Sequence, residues 1–169
     1  AVAGDLEQAH KKGTDFLSDK CGAKAVYSDI VISTNGGYPL DQNIYQAVKG
    51  MTAAEATVNE GGVIIMLAKS NDSHGGENFY RQLADEVDIS KTMDMFLARK
   101  RNETLPDQWQ SQILIRILQK ASVIYISDAP DDMIEAMHMI PCHSLDDALE
   151  MAGKILNNPD ASVTAIPDG

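Results

Sequence analysis

The sequence has few cysteines and no apolar run of membrane-spanning length. Cys21 and Cys142 lie far apart and form no C-x-x-C motif, a usage typical of reduced, structural thiols. No apolar stretch approaches the roughly 20 residues that a membrane-spanning helix requires. The start A-V-A-G-D-L-E-Q lacks the charged-then-apolar pattern of a secretory signal peptide. We therefore expect a cytoplasmic protein with no membrane partner.

Positive charge is also scarce. The sequence has 14 lysines and arginines and 25 aspartates and glutamates, which gives a net charge of −11. The basic run Arg99–Arg101 is short and isolated. This balance argues against nucleic-acid binding, which depends on extended basic patches. It does not favour an anionic substrate either, so a site for one must be built from local donors.

Several catalytic motifs are missing as well. The sequence contains no G-x-G-x-x-G fingerprint, no P-loop and no G-x-S-x-G nucleophile elbow. Zinc and nickel sites need several ligands, and the histidines share no ligand spacing; they are His10, His74, His138 and His143. We expect no metal site in this chain.

Apolar runs alternate with helical patterns from Ile30 to Ile166. The run Val63–Leu67 is apolar throughout, which is typical of a parallel strand covered on both faces. With 169 residues and 44% hydrophobic residues, the chain can bury a substantial core. The pattern predicts a single α/β domain, in a three-layer Rossmann-like arrangement of a mostly parallel sheet with helices on both faces.

The stretch S-T-N-G-G-Y-P-L-D-Q-N-I-Y-Q-A-V-K-G, residues 33–50, predicts a strand end, a glycine turn and a helix. Gly36 and Gly37 permit the positive φ angles that other residues resist. Asp41 or Asn43 is placed to cap the helix. Such a junction lies at the carboxyl end of a strand, where open α/β sheets bind ligands.

The helix predicted from about Asp41 to Val58 has two faces on a helical wheel. Tyr45, Gln46 and Lys49 form a polar patch near the glycine turn. The patch is either a solvated helix face or a donor-rich site for a carboxylate or phosphate. The opposite, core face carries Ile44, Ala47, Val48, Met51, Ala54 and Val58.

His74 and Trp109 are further candidates. His74 lies in a second glycine-rich loop, at the predicted end of the next strand, and is either a site residue or a packed loop residue. Trp109 lies in the first turn of a helix predicted to begin at Thr104, with Thr104 as its cap. Its residue type alone indicates a core or rim aromatic.

The segment D-I-V-I-S-T-N-G-G-Y-P-L-D-Q-N-I-Y-Q-A-V-K-G resembles the second-domain signature of the nickel-pincer-nucleotide lactate racemase family. The segments G-G-V-I-I-M and H-G-G-E-N-F-Y and the ending V-T-A-I-P-D-G are also similar to that family. The resemblance covers nearly the whole chain but only the C-terminal domain of the family. It implies that residues 1–169 form one domain of a two-domain racemase, with the helix within residues 1–22 as part of the interdomain connection.

The resemblance also implies a role for each candidate. In this family a hydride leaves carbon 2 of a hydroxy acid for the nickel-pincer nucleotide and returns to either face. By resemblance, Lys49 would pair with the substrate carboxylate or with the keto-acid oxygen. Gln46 and Tyr45 would orient the same ligand, and Trp109 would cover the cofactor or the substrate.

Gly36, Gly37 and His74 complete the predicted binding residues. The cofactor-tethering lysine, the nickel-binding histidine and the two acid/base histidines belong to the family's N-terminal domain, which no region here resembles. The implied partners are that domain and a small 2-hydroxy acid. The fragment alone is expected to hold no cofactor and to be inactive. A second function class stays open, a non-catalytic α/β domain that binds a small anion at the Gly36–Gly37 loop.

Overall fold

The computed structural model describes residues 1–167 and 169. At its centre is a five-stranded sheet with the order β4-β3-β2-β1-β5, in which every neighbouring pair is parallel. The strands are β1 (Ser28–Thr34), β2 (Val58–Leu67), β3 (Ser122–Ile126), β4 (Ile140–Cys142) and β5 (Val163–Ile166). The helices are α1 (Leu6–Cys21), α2 (Ile44–Glu55), α3 (Glu77–Ala84), α4 (Ile89–Ala98), α5 (Gln108–Lys120), α6 (Asp131–Ala136) and α7 (Leu145–Leu156), with a 3₁₀ turn at Arg101–Glu103.

Both faces of the sheet are covered by helices. Successive side chains of a strand point to opposite faces of the sheet, so a strand contributes side chains to a core on each face. The larger core joins Val31, Ile64 and Tyr125 of the strands to buried side chains of α2, α3 and α5. The smaller core joins Ile30 and Ile65 to α7. The predicted α/β fold, a parallel sheet with helices on both faces, is confirmed.

The order of the strands creates one switch point. From β1 to β4 each new strand is added on the same side of the sheet, and α7 then returns the chain to place β5 on the other side of β1. The carboxyl ends of β1 and β2 lead into the two glycine-rich loops. The fold therefore gathers both predicted ligand loops at the edge where α/β sheets bind ligands.

Two helix starts differ from the expected ones. Helix α2 begins at Ile44, and Asn43 rather than Asp41 is its cap. Helix α5 begins at Gln108, so the expected start at Thr104 is wrong. The Thr104 hydroxyl instead donates to the carbonyl of Arg101 at 3.1 Å, which closes the preceding 3₁₀ turn. Asp107 takes the capping position in the left-handed region, with a φ of 61°.

Helix α1 lies outside the two cores. It has no buried residue, although Leu6, Phe16 and Leu17 are large and apolar. Its predicted part in an interdomain connection stays a prediction. Cys21 is exposed and Cys142 is buried, and both are free thiols, as expected. None of the helices in the described part of the chain has the length and apolar character that a bilayer-spanning segment needs.

Candidate functional site

The first turn of α2 is fixed by the loop that follows β2. The backbone N–H groups of Ile44 and Tyr45 donate to the carbonyls of Ser73 and His74, at 3.1 Å each. The N–H of Gln46 donates to the side-chain oxygen of Asn43 at 3.0 Å. These are the groups that a helix start leaves without intrahelical partners. Because the protein itself satisfies them, they are not available to an external anion.

Asn43 also ties the two loops to each other. Its amide donates to the carboxylate of Asp72 at 3.1 Å. Gly75 packs directly on this amide, with a φ of 78°. A Cβ at Gly75 would lie 2.4 to 2.8 Å from the amide atoms of Asn43. Glycine is required here both by the backbone conformation and by the close approach.

Tyr45 lies between an aromatic ring of α3 and one of α5. Its ring meets Phe79 edge to face at 5.3 Å between centroids, and Trp109 edge to face at 6.0 Å. The buried side chain of Gln110 donates to the carbonyl of Tyr45 at 2.6 Å. Trp109 is 52% exposed, so it is a rim aromatic held beside Tyr45 rather than a core residue.

Lys49 and Gln46 lie together on the outer face of α2. The Lys49 ammonium donates to the side-chain oxygen of Gln46 at 2.6 Å. Lys49 is exposed and Gln46 is partly buried, whereas Val48 and Met51 on the opposite face are fully buried. One ammonium proton is engaged, so the remaining ones and the Gln46 NH₂ form a small group of donors. The two predicted faces of the helical wheel are confirmed within α2, but the predicted helix end at Val58 is wrong, because α2 ends at Glu55 and Val58 begins β2.

The Tyr45 phenol remains protonated well above neutral pH. Burial raises its pKa, and the negative charge of the Asp107 carboxylate raises it further. Asp107 and the Tyr45 ring flank Gly76, each within ordinary contact distance of the place where a Cβ would lie. Asp107 was not among the predicted site residues. Its signal in the sequence is weak, because it is only a Pro106-Asp107 pair separated from Trp109 by one residue.

His74 is bound into the loop and α3. Its ring stacks on Tyr80, with centroids 4.9 Å apart. Nδ1 accepts from the N–H of Gly76 at 3.1 Å, and Nε2 lies 3.6 Å from the Glu77 carboxylate. Because Nδ1 is an acceptor, the neutral ring carries its proton on Nε2. This is the arrangement of a packed loop histidine, and a chemical role for it stays a prediction.

Gly36 and Gly37 line a separate cleft at the carboxyl ends of the strands, with a volume of about 710 Å³. Their φ angles of 69° and 73° confirm the expected turn conformation. Asp41, Lys69 and Asp128 line the same cleft. The structure thus gathers four of the predicted site residues in one patch, on α2 and α5, and places the two glycines in a neighbouring cleft that contains two carboxylates.

Residues 23–169 match the family model described as the lactate racemase C-terminal domain. The chain belongs to this family. It is 54% identical over 170 residues to the lactate racemase of Lactiplantibacillus plantarum. It is 50% identical over 170 residues to that of Thermoanaerobacterium thermosaccharolyticum. Each alignment covers 100% of this chain and 40% of the relative.

A solved structure gives the same result. The lactate racemase apoprotein from Thermoanaerobacterium thermosaccharolyticum superposes with a TM-score of 0.91 at 49% sequence identity, over 98% of this chain and 40% of that one. The resemblance to the lactate racemase family is confirmed. As a lactate racemase C-terminal domain, the chain spans about 40% of the length of the relatives it matches.

This lactate racemase C-terminal domain offers donors rather than metal ligands. Within residues 1–167 and 169, no group of three or more histidine, cysteine, aspartate or glutamate side chains is placed to hold a metal ion. The patch supplies instead an ammonium, an amide, a protonated phenol and an exposed indole. These groups can bind and orient an anionic ligand, and none of them is an acid/base pair poised for proton transfer.

Proposed function

We propose that this domain supplies the substrate-orienting wall of a 2-hydroxyacid racemase, in a cleft shared with the N-terminal domain of the same polypeptide. The observation that carries the proposal is the bonded pair Lys49 and Gln46 on α2. The first turn of the same helix is fixed by the loop after β2 and carries Tyr45, which packs on Trp109 of α5. A rigid helix is a precise support for ligand-positioning side chains. The family membership supports a small 2-hydroxy acid such as lactate as the substrate class.

Lys49 is the residue proposed to meet the substrate charge. Gln46 accepts one ammonium proton at 2.6 Å and so restricts the direction of the Lys49 head group. The other ammonium protons are left for a carboxylate, or for the oxygen of a keto-acid intermediate. A cation near that oxygen stabilises the polarised state, and more strongly when the cleft is closed and dry.

Tyr45 and Trp109 are proposed to shape the ligand space. The raised pKa of Tyr45 keeps its phenol neutral, so it can donate to or accept from a ligand hydroxyl without adding negative charge. The exposed indole of Trp109 presents a flat apolar surface beside it. Together they would exclude water from one side of the ligand.

The described residues contain no group of three or more histidine, cysteine, aspartate or glutamate side chains placed to hold a metal ion. We infer that the nickel-pincer nucleotide, which the family resemblance implies, would be held by the upstream domain together with the hydrogen-transfer chemistry at carbon 2. The part of this domain is to bind and orient the substrate.

The small-anion alternative gains no support from the geometry. The first N–H groups of α2 are already bonded to the protein. The cleft beside Gly36 and Gly37 is lined by Lys69 and His143 but also by Asp41 and Asp128, and these two carboxylates oppose the binding of an anion. We therefore retain the racemase domain as the proposed function.

Lys49→Ala in the full-length protein tests the proposal. Loss of a charge-assisted donor aimed at the reacting oxygen should lower kcat/KM by about 10²–10³. The free energy of unfolding should change by no more than about 0.5 kcal/mol, because Lys49 is exposed. Racemisation rates and urea unfolding measure the two effects.

Met51→Ala is the matched control on the opposite face of α2. Met51 is fully buried, so its truncation should cost about 2–5 kcal/mol of stability. The Met51→Ala enzyme, assayed well below its melting temperature, should retain its activity. Near-normal turnover by Lys49→Ala would show that the patch is only a solvated helix face.

A further inference from the structure

The loop between β1 and α2 exposes two large apolar side chains at the ligand edge of the sheet. Tyr38 is 79% exposed and Leu40 is 58% exposed. Single exposed apolar residues are ordinary on a protein surface. These two lie in the nine-residue loop that leads into the helix of Lys49, and the exposed Trp109 packs beside the first turn of that helix. The exposed apolar pair therefore belongs to the segment that leads directly into the helix of the donor patch.

The loop holds this pair outward by specific bonds. The N–H groups of Leu40 and Asp41 both donate to the carbonyl of Gly37, at 2.8 and 3.1 Å. The side chain of Asn35, only 6% exposed, donates to the carbonyl of Leu40. The carbonyl of Asp41 in turn accepts from the N–H of Ser70, in the loop after β2. A backbone anchored on both sides presents Tyr38 and Leu40 in a defined orientation.

The length of the relatives identifies what can cover this surface. The chain corresponds to about 40% of each relative, so most of such a racemase lies outside these residues. The donor patch is also one-sided, since all of its members come from α2 and α5. A ligand held by Lys49 needs a second wall before water is excluded.

We propose that Tyr38 and Leu40 form a docking surface for the N-terminal domain of the same polypeptide, which covers them and seals the glycine-loop side of the cleft. This inference rests on the proposed function. Burial of these apolar side chains favours the closed arrangement, and it keeps water away from the Lys49 ammonium. The two residues act on the ligand through closure and need not contact it.

Hydroxyl-radical footprinting of the full-length protein, with and without lactate, tests the docking directly. The modification rates of Tyr38 and Leu40 are measured by mass spectrometry, with Val87 as the internal reference. Val87 is 93% exposed between α3 and α4. The carbonyl of its neighbour Glu86 is bonded to His138 just before β4, so Val87 lies near the amino ends of the strands, away from the ligand edge. We expect several-fold slower modification of Tyr38 and Leu40 than their exposure in this domain implies, most of all with lactate. Unprotected side chains in both conditions would overturn the proposal.

The partner is tested by dilution. Protection by the same polypeptide does not depend on protein concentration, whereas protection by a second copy is lost when the protein is diluted. Protection that disappears on dilution would overturn the assignment to the N-terminal domain. Concentration-independent protection supports it.

The double variant Tyr38→Ser/Leu40→Ser tests the consequence for catalysis. It should lower kcat/KM about tenfold or more, while Val87→Ser leaves it unchanged and all variants keep the wild-type melting temperature. Full activity of the double variant would overturn the sealing role. If Lys49→Ala were active while Tyr38 and Leu40 remained protected, the proposed function would fail and the docking would stand.

Discussion

Tyr45 owes its ionisation behaviour to residues that are distant in sequence. Its phenol is partly buried by α3 and α5, and the nearest charge that acts on its pKa is the Asp107 carboxylate. A helical wheel of α2 places Tyr45 correctly on the outer face, but it contains no information on what lies across from that face. That is why the sequence identified Tyr45 and not Asp107.

Asp107→Asn should lower the pKa of Tyr45, because the variant removes a negative charge and keeps the size of the side chain. Asparagine also tolerates the left-handed φ of 61° at this position. The ¹³Cζ resonance of labelled tyrosine, assigned by its absence in Tyr45→Phe, reports the titration. Asp94→Asn, an exposed change on α4, is the control. A Tyr45 pKa that is equal in Asp107→Asn and wild type would contradict the contact.

Tyr125 should make stability depend on alkaline pH. Its side chain is fully buried, its hydroxyl is bonded to that of Ser70 at 2.6 Å, and burial raises its pKa far above the usual value. The unfolded chain therefore loses this proton first, near pH ~10, while the folded protein keeps it. The stabilising contribution is complete below pH ~10 and falls as the pH rises above it, by at most about 1.4 kcal/mol per pH unit.

Tyr125→Phe should remove this part of the slope. It should also cost about 1 kcal/mol near neutral pH, because the Ser70 hydroxyl loses its partner. Urea unfolding between about pH 8 and 11, a range that spans the ordinary pKa of tyrosine, measures both effects. Tyr27→Phe is the control, since Tyr27 is 67% exposed. Identical slopes for Tyr125→Phe and wild type would show that the phenol is not buried as described.

Helices and strands were predictable from the sequence where the residue pattern within the element itself determines its structure. The apolar face of α2 and the β-branched runs of β1 and β2 needed no tertiary information, and the structure buries them as expected. The start of α5 was not predictable in this way. Thr104 is a good cap by residue type, but its hydroxyl closes the turn at Arg101–Glu103 instead, and the chain reverses at Asp107 before the helix begins.

The junction between α2 and the His74 loop gives a prediction at the scale of elements. Gly75→Ala should destabilise the protein more than Gly37→Ala. Both alanines would be forced into the left-handed region, which costs about 1–2 kcal/mol. Only at Gly75 does the new Cβ also collide with the Asn43 amide, which adds about 1–3 kcal/mol. Urea unfolding of the two variants measures the difference.

Gly37 is a matched control because a Cβ there meets nothing within 4 Å. Equal losses in the two variants would mean that the loop moves away from α2 at little cost. A larger loss at Gly75 together with a lower racemisation rate would show that the same junction positions Tyr45 and its neighbours.

At the scale of the whole molecule, the alternation of strands and helices predicted a parallel sheet but not its strand order. A right-handed crossover fixes the face of the sheet on which the connecting helix packs, and it leaves open on which side of the previous strand the next one is added. The return of the chain through α7 to place β5 beside β1 depends on which sheet edge its apolar face can cover. Gly36 and Gly37 were predicted to lie in one site with Lys49 because they are close to it in sequence, and they line the neighbouring cleft.

The 169-residue chain by itself should neither interconvert D- and L-lactate nor bind Ni²⁺ tightly. Its described residues gather no set of metal ligands, and its donor patch contains no pair of bases on opposite sides of a ligand. Calorimetric titration with Ni²⁺ and a chiral assay of lactate measure the two properties, with the full-length protein as the positive control. Stoichiometric, submicromolar Ni²⁺ binding would show that histidines distant in this structure come together in solution. Racemisation by the purified chain, with the full-length enzyme excluded by mass spectrometry, would overturn the division of labour in which this domain orients the substrate and the N-terminal domain carries the chemistry.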